Sequence, residues 1–167
     1  MNFDQQNPGP TCLFLEGTPE ITVQAFHDLN RDMNPEFVHV FLDKLERYAA
    51  KPDRALFLAR YRKRFIAFAT IISYSPPPVK VTGASIELLR TYACGTGLMV
   101  LPEFRRHGVA SGLVQCWEKW ADEKNRDGIW LVTRQMARWY QYHFHYSIHG
   151  TLISKGVEKT LLTKSFI

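Results

Sequence analysis

Leu98-Met99-Val100-Leu101-Pro102-Glu103-Phe104-Arg105-Arg106-His107-Gly108-Val109-Ala110-Ser111-Gly112-Leu113 is the stretch on which the reading of this chain turns. An apolar strand, Gly97 to Leu101, stops at a proline; a basic tripeptide and a glycine follow, and apolar residues then recur at helical spacing. Small residues at 108, 110 and 111 let backbone amides approach an anion closely at the positive end of a helix dipole. The junction suits a phosphorylated ligand.

Downstream, Val109, Leu113, Trp117 and Ala121 share one face of a helix that runs to about Lys124, with Trp120 beside them. Asn125-Arg126-Asp127-Gly128 breaks it, and Ile129 to Thr133 reads as a buried strand. A helix from near Arg134 to about Phe144 and strands near Tyr146–Leu152 and Thr160–Phe166 complete this half. Upstream, Cys12 to Glu16 is a short strand. Thr18-Pro19-Glu20 and Asn34-Pro35-Glu36 each set a capping side chain before a proline and a first-turn carboxylate. The first helix presents Ile21, Ala25, Phe26 and Leu29, and the second Phe37, Phe41, Leu45 and Tyr48. Ala55–Ala59 and Phe65–Ile72 flank Arg62-Lys63-Arg64 as a hairpin, which Pro76-Pro77-Pro78 ends. Between 79 and 91, Ile86 to Arg90 fits either a short helix or a strand entry. Alternating strands and helices after a helix pair and a hairpin predict an α/β layer fold with a mixed sheet.

A chain of 167 residues is expected to form a single domain, 1–167, with 46% hydrophobic and 22% charged residues, as in soluble globular proteins. No apolar run nears the roughly 20 residues that span a bilayer, and the N-terminus lacks a signal-peptide pattern, so no membrane partner is expected. The three cysteines, Cys12, Cys94 and Cys116, fit neither a zinc site nor a disulfide framework, which points to a reducing cytoplasm. Cys94 and Cys116 read as packing residues, as do Trp117 and Trp120. A net charge of +5 favours polyanions, either nucleic acid or a multiply phosphorylated cofactor. The basic residues are dispersed rather than run together, so nucleic acid is not the expected partner. His143, His145 and His149 have no carboxylate or cysteine at ligand spacing, and no metal is expected.

Arg105-x-x-Gly108-x-Ala110, after a strand and opening a helix, resembles the R/Q-x-x-G-x-G/A signature of the GNAT superfamily of N-acetyltransferases. Trp139-Tyr140-Gln141-Tyr142-His143-Phe144-His145-Tyr146 is similar to that family's later motif, with His145 where glycine is usual and Tyr146 where phenylalanine is usual. The specific motifs lie within 98–146; the first half matches in arrangement only. The resemblance implies a mixed, mostly antiparallel sheet of six to seven strands flanked by about four helices. It also implies acetyl-CoA as co-substrate and no metal. By resemblance, Met99, Val100 and Leu101 pair with the pantetheine arm through their backbone. The amides of His107, Gly108, Val109, Ala110 and Ser111 hold the pyrophosphate, Arg105 and Arg106 add charge at the rim, and Tyr140 serves the leaving thiolate.

Direct attack by a primary amine, a small molecule or peptide, is then expected, with an oxyanion donor near Met99 or Val100. Some relatives carry a glutamate base on the signature strand; Cys94 falls near that position here, Glu87 is the nearest carboxylate upstream, and Glu103 belongs to the turn. No base is assigned. The acceptor pocket is expected from the helix pair over 18–50, the 74–91 connection and the last strands. A homodimer stays open. Two alternatives stand beside this reading: a CoA-binding module without turnover, and an aminoacyl-tRNA-acetylating toxin.

Overall fold

Thr18 and Pro19 launch the first helix as their sequence dictates. In the computed structural model, which describes residues 11–31, 42–78, 81–82 and 85–167, α1 spans Pro19–Arg31 and follows β1 (Leu13–Glu16). The Thr22 amide donates to the Thr18 carbonyl at 3.1 Å, and the Thr18 side chain holds the Glu20 carboxyl below its ordinary range by hydrogen bonding. Ala25 and Leu29 are fully buried, with Ile21 and Phe26 packed alongside. The second cap, Asn34-Pro35-Glu36, and the Phe37 and Phe41 positions lie outside the described residues. α2 is described over Leu42–Glu46, where Leu45 is buried.

β2 (Arg54–Tyr61) and β3 (Arg64–Ile72) form the expected hairpin around Arg62 and Lys63; Arg64 itself is the first residue of β3 and pairs with Tyr61. A 3-10 turn at Glu87–Arg90 decides the ambiguous stretch in favour of a short helix. β4 (Ala93–Val100), a 3-10 turn (Pro102–Phe104) and α3 (Val109–Glu123) follow, then β5 (Gly128–Thr133), α4 (Ala137–Phe144), β6 (Ser147–Ser154) and β7 (Val157–Ser165). The strands make one seven-stranded sheet in the order β1-β2-β3-β4-β5-β7-β6. Every neighbouring pair is antiparallel except β4 with β5.

The core lies at the middle of this sheet. β3 is buried at every position from Phe65 to Ile71, so both its faces are covered, and α1 and α3 both pack on it. Its sequence therefore reads as a continuous apolar run rather than an alternating one. A smaller cluster of Leu89, Tyr92, Cys94, Trp130 and Leu161 sits under the 3-10 turn. Thr82 exchanges two backbone hydrogen bonds with Thr151, of 2.9 and 3.2 Å, tying the 74–91 connection to β6. Among the described residues no helix is long and apolar enough to cross a membrane.

Several boundaries differ from the sequence reading. α4 begins at Ala137 rather than near Arg134, because the Thr133 hydroxyl accepts the Met136 amide at 3.0 Å and holds the preceding residues in a turn. β7 begins at Val157 rather than Thr160. Lys155 and Gly156, at φ 52° and 74°, make a two-residue turn that sets Ser154 directly opposite Val157.

Candidate active site

β4 and β5 are paired only at Ala93–Ile129, Cys94–Trp130 and Gly95–Leu131, yet β4 continues to Val100 and β5 to Thr133. Beyond Gly95 the strands part, and a cleft of about 1000 Å³ opens between them. Pairing with β3 fixes which groups of β4 face it. Val100 lies opposite Ala67, and Leu101 donates its amide to Ile66 at 2.9 Å. By strand alternation the Met99 and Leu101 backbone groups serve the sheet, whereas Leu98 and Val100 turn theirs toward the open side. Of the expected strand residues, Val100 is thus the one whose amide is positioned for a ligand. Thr96 is the extra residue of a bulge between Ile71 and Thr70, and its hydroxyl is tied to the Thr70 carbonyl at 3.1 Å.

At the outer end of the cleft the chain makes a cradle. Arg106 has φ 63° and Gly108 has φ 78°, and these left-handed residues bracket the bend that leads into α3. The first intrahelical bond runs from the Gly112 amide to the Gly108 carbonyl at 3.0 Å, and among the described residues no side chain caps the helix. The amides of Val109, Ala110 and Ser111 therefore lack intrahelical acceptors, and all three residues line the cleft. A Cβ on Gly108 would meet no atom of the described residues within 4 Å: it would project into open space. This concave row of donors suits a diphosphate. Arg106 lines the same end, while the Arg105 Nε donates to the Val100 carbonyl at 3.0 Å and so braces the strand's exposed edge. His107 is exposed and does not line the cleft. Gly112 has a packing role instead, since a Cβ there would collide with the Phe14 ring of β1.

α4 supplies the opposite wall. Met136, Trp139, Tyr140 and His143 line it. Tyr140 is 5% exposed, with Trp139, Tyr146 and Phe144 ring centroids at 4.9, 5.5 and 6.4 Å. Burial pushes its phenol well above the ordinary tyrosine range, so it keeps its proton and can donate it in a hydrogen bond near neutral pH.

The sequence profile of the acetyltransferase (GNAT) family matches residues 23–146. The chain belongs to the GNAT acetyltransferase family. No curated protein sequence matches it significantly. Solved structures do. A candidate streptothricin acetyltransferase from Bacillus anthracis in complex with acetyl coenzyme A superposes with a TM-score of 0.68 at 19% identity, covering 94% of this chain and 99% of that one. NAA60 of Arabidopsis thaliana in complex with acetyl-CoA gives 0.65 at 15% identity, over 93% and 100%. A GNAT-family acetyltransferase from Streptococcus pneumoniae gives 0.64 at 16%, over 93% and 100%. At these identities the likeness is one of fold.

Within this GNAT fold the remaining candidates sort themselves by position. Cys94 is 5% exposed, and burial pushes its thiol up to about 12, which removes any thiolate near neutral pH. Glu87 pairs with Arg90 at 3.1 Å on the 3-10 turn, and Glu103 pairs with Arg64 at 3.2 Å. Neither borders the cleft, whose described lining contains no carboxylate. The histidines go separate ways. His143 borders the cleft, His145 closes α4 at φ 60°, and the His149 Nε2 lies 2.8 Å from the Ser85 carbonyl oxygen. Trp117 and Trp120 are core residues as read, but Trp117 also forms cleft wall. The cleft roles of Met136, Trp139 and His143 escaped the sequence reading, although 136, 140 and 143 recur at helical spacing.

Proposed function

We propose that this protein transfers an acetyl group from acetyl-CoA to a primary amine by direct attack. The observation that carries the reading is the parting of β4 and β5 beside the uncapped start of α3. One cleft then offers an open strand edge to a peptide-like arm and a row of free amides to a diphosphate. The amides of Val109, Ala110 and Ser111 would hold the pyrophosphate, with Gly108 keeping the approach clear and Arg106 at the rim. The Val100 amide and the Leu98 carbonyl would pair with the pantetheine amides.

A neutral amine attacks the thioester carbonyl, forming a C–N bond while the carbonyl electrons move onto oxygen. The Leu98 amide, the next open-edge donor inward from Val100, would stabilise that oxygen. When the C–S bond breaks, the electron pair leaves with sulfur, and the Tyr140 hydroxyl donates a hydrogen bond or its proton to the thiolate. The nitrogen sheds its extra proton to solvent. A phenol held above its usual range is a poor acid but a persistent donor, so its main contribution is the hydrogen bond.

The test is thiol release from acetyl-CoA across a panel of small amines, amino acids and peptides, alongside calorimetric titration with CoA. Amine-dependent release supports the reading. Binding of CoA without release from any amine leaves a cofactor-binding module, and absence of CoA binding defeats both.

A further inference from the structure

We propose that Trp117 sets the length of acyl chain the cleft accepts, confining the donor to acetyl and its next homologue. This inference rests on the acetyl-transfer reading and adds a specificity-determining residue to it. The inner end of the cleft lies where β4 and β5 are last paired, at Gly95 and Leu131, and both residues line it. Trp117, reaching up from α3, forms the wall beneath them although it is 2% exposed. The edge of its six-membered ring fills the place a Gly95 side chain would take. A Cβ there would lie 3.0 Å from Cζ3, 3.2 Å from Cη2 and 3.3 Å from Cε3. The ring is therefore pressed against the strand backbone at the apex.

Direction follows from the strand. The edge of β4 from Val100 to Thr96 leads from the cradle to the apex, roughly 13 Å at about 3.3 Å per residue. An arm that starts at the α3 amides and runs along this edge carries its thioester inward, and the acyl group points on toward the indole. Each added methylene extends the chain into Trp117. The ring has little room to yield, because Leu113, Val114 and Ala121 of the same helix are fully buried in the core around it. Its Nε1 is buried with no hydrogen-bond partner among the described residues. What tryptophan supplies here is volume.

Pockets that meet a surplus methylene discriminate by roughly 10–200-fold, and forcing extra volume into a packed wall is itself unfavourable. The test is a donor series of acetyl-, propionyl-, butyryl- and hexanoyl-CoA, read both as calorimetric affinity and as thiol release with an accepted amine. Wild type is expected to bind and use the first two comparably, butyryl-CoA about tenfold less well, and hexanoyl-CoA at least about 100-fold less well. Trp117→Phe and Trp117→Leu are expected to raise hexanoyl-CoA relative to acetyl-CoA by at least about tenfold, with circular dichroism confirming the fold. Should both variants fail to fold, the wild-type binding series decides alone. Equal affinity for hexanoyl-CoA and acetyl-CoA overturns the proposal and leaves acetyl transfer standing. Failure of every CoA thioester to bind sinks both.

Discussion

The Tyr146 amide donates to the Tyr140 carbonyl at 3.3 Å, and this bond closes the last turn of α4 around a left-handed His145. The His145 amide reaches the Gln141 carbonyl at 3.1 Å, the bond of a left-handed helix ending that usually employs glycine. The backbone thus keeps the ending that the family's glycine provides, while the residue does not. Because the same turn fixes Tyr140 at the cleft wall, its strain bears on the site. His145→Gly is expected to stabilise the fold by about 0.5–1 kcal/mol, measured by urea denaturation, with CoA affinity unchanged. A destabilised variant would show that the exposed imidazole makes a contact worth more than the strain.

Gly108 is a left-handed residue for a different reason. No atom of the described residues would obstruct its Cβ, so the sequence keeps glycine there for backbone conformation and for the open space in front of it. Gly108→Ala is expected to cost about 1 kcal/mol of stability and to weaken CoA binding by about tenfold or more as the neighbouring amides shift. Calorimetry of CoA on the folded variant checks this. Unchanged affinity would mean that the diphosphate is held elsewhere.

Much of this was legible in the sequence where a residue's local chemistry decides its structure. The strand–proline–glycine–helix junction, the Thr18-Pro19-Glu20 start and the basic hairpin each carry their own signal, and each was found where it was read. His145 was recognisable as a conflict between residue and backbone, and the left-handed φ resolves it. What stayed hidden depends on partners distant in the chain. The parting of β4 from β5 is a property of two strands and leaves no mark on either. The Arg105 brace on Val100 looks in sequence like a solvated turn, and Gly112 reveals its purpose only once Phe14 is packed against it. The Lys155-Gly156 turn could have been noticed, since a glycine between two β-prone runs is a hairpin signal.

Tyr140 carries the heaviest functional assignment. Tyr140→Phe removes one oxygen atom from a buried position and leaves the ring contacts with Trp139, Phe144 and Tyr146 in place. Loss of a proton or hydrogen-bond donor to the leaving thiolate is expected to lower kcat by about 10²–10⁴-fold, with CoA affinity within about twofold of wild type. Steady-state kinetics and calorimetry on one preparation separate the two. A variant that turns over at the wild-type rate would remove Tyr140 from the chemistry.

The buried tyrosines also predict an alkaline limit. Burial holds the phenols of both Tyr140 and Tyr146 above the ordinary range, and Glu118 and then Tyr140 add to the shift of Tyr146. In the unfolded chain both ionise near about 10, so above that pH the unfolded state binds fewer protons than the folded one. Stability is accordingly intact below about pH 10 and falls as pH rises beyond it. Tyr146→Phe removes one of the two groups, and its Tm is expected to decline less steeply than that of wild type between about pH 9.5 and 11. Parallel declines would mean that the Tyr146 hydroxyl ionises as freely folded as unfolded.

Asp28 offers a test of the scaffold apart from the site. It is 6% exposed on α1, accepts the Gln24 Nε2 at 2.7 Å on one oxygen, and on the other accepts the Phe65 amide of β3 at 2.9 Å. The carboxylate thus joins the helix to the start of the central strand by satisfying a buried main-chain donor. Asp28→Ala leaves the Phe65 amide without that acceptor, which is expected to cost about 1–3 kcal/mol. Asp28→Asn, whose carbonyl oxygen can still accept that amide, should lose less. Asp28 does not line the cleft, so CoA affinity at low temperature should survive in both variants while Tm falls in the order wild type, Asn, Ala. If the Asn variant proves as unstable as Ala, the stabilisation comes from the charge of Asp28 rather than from capping Phe65.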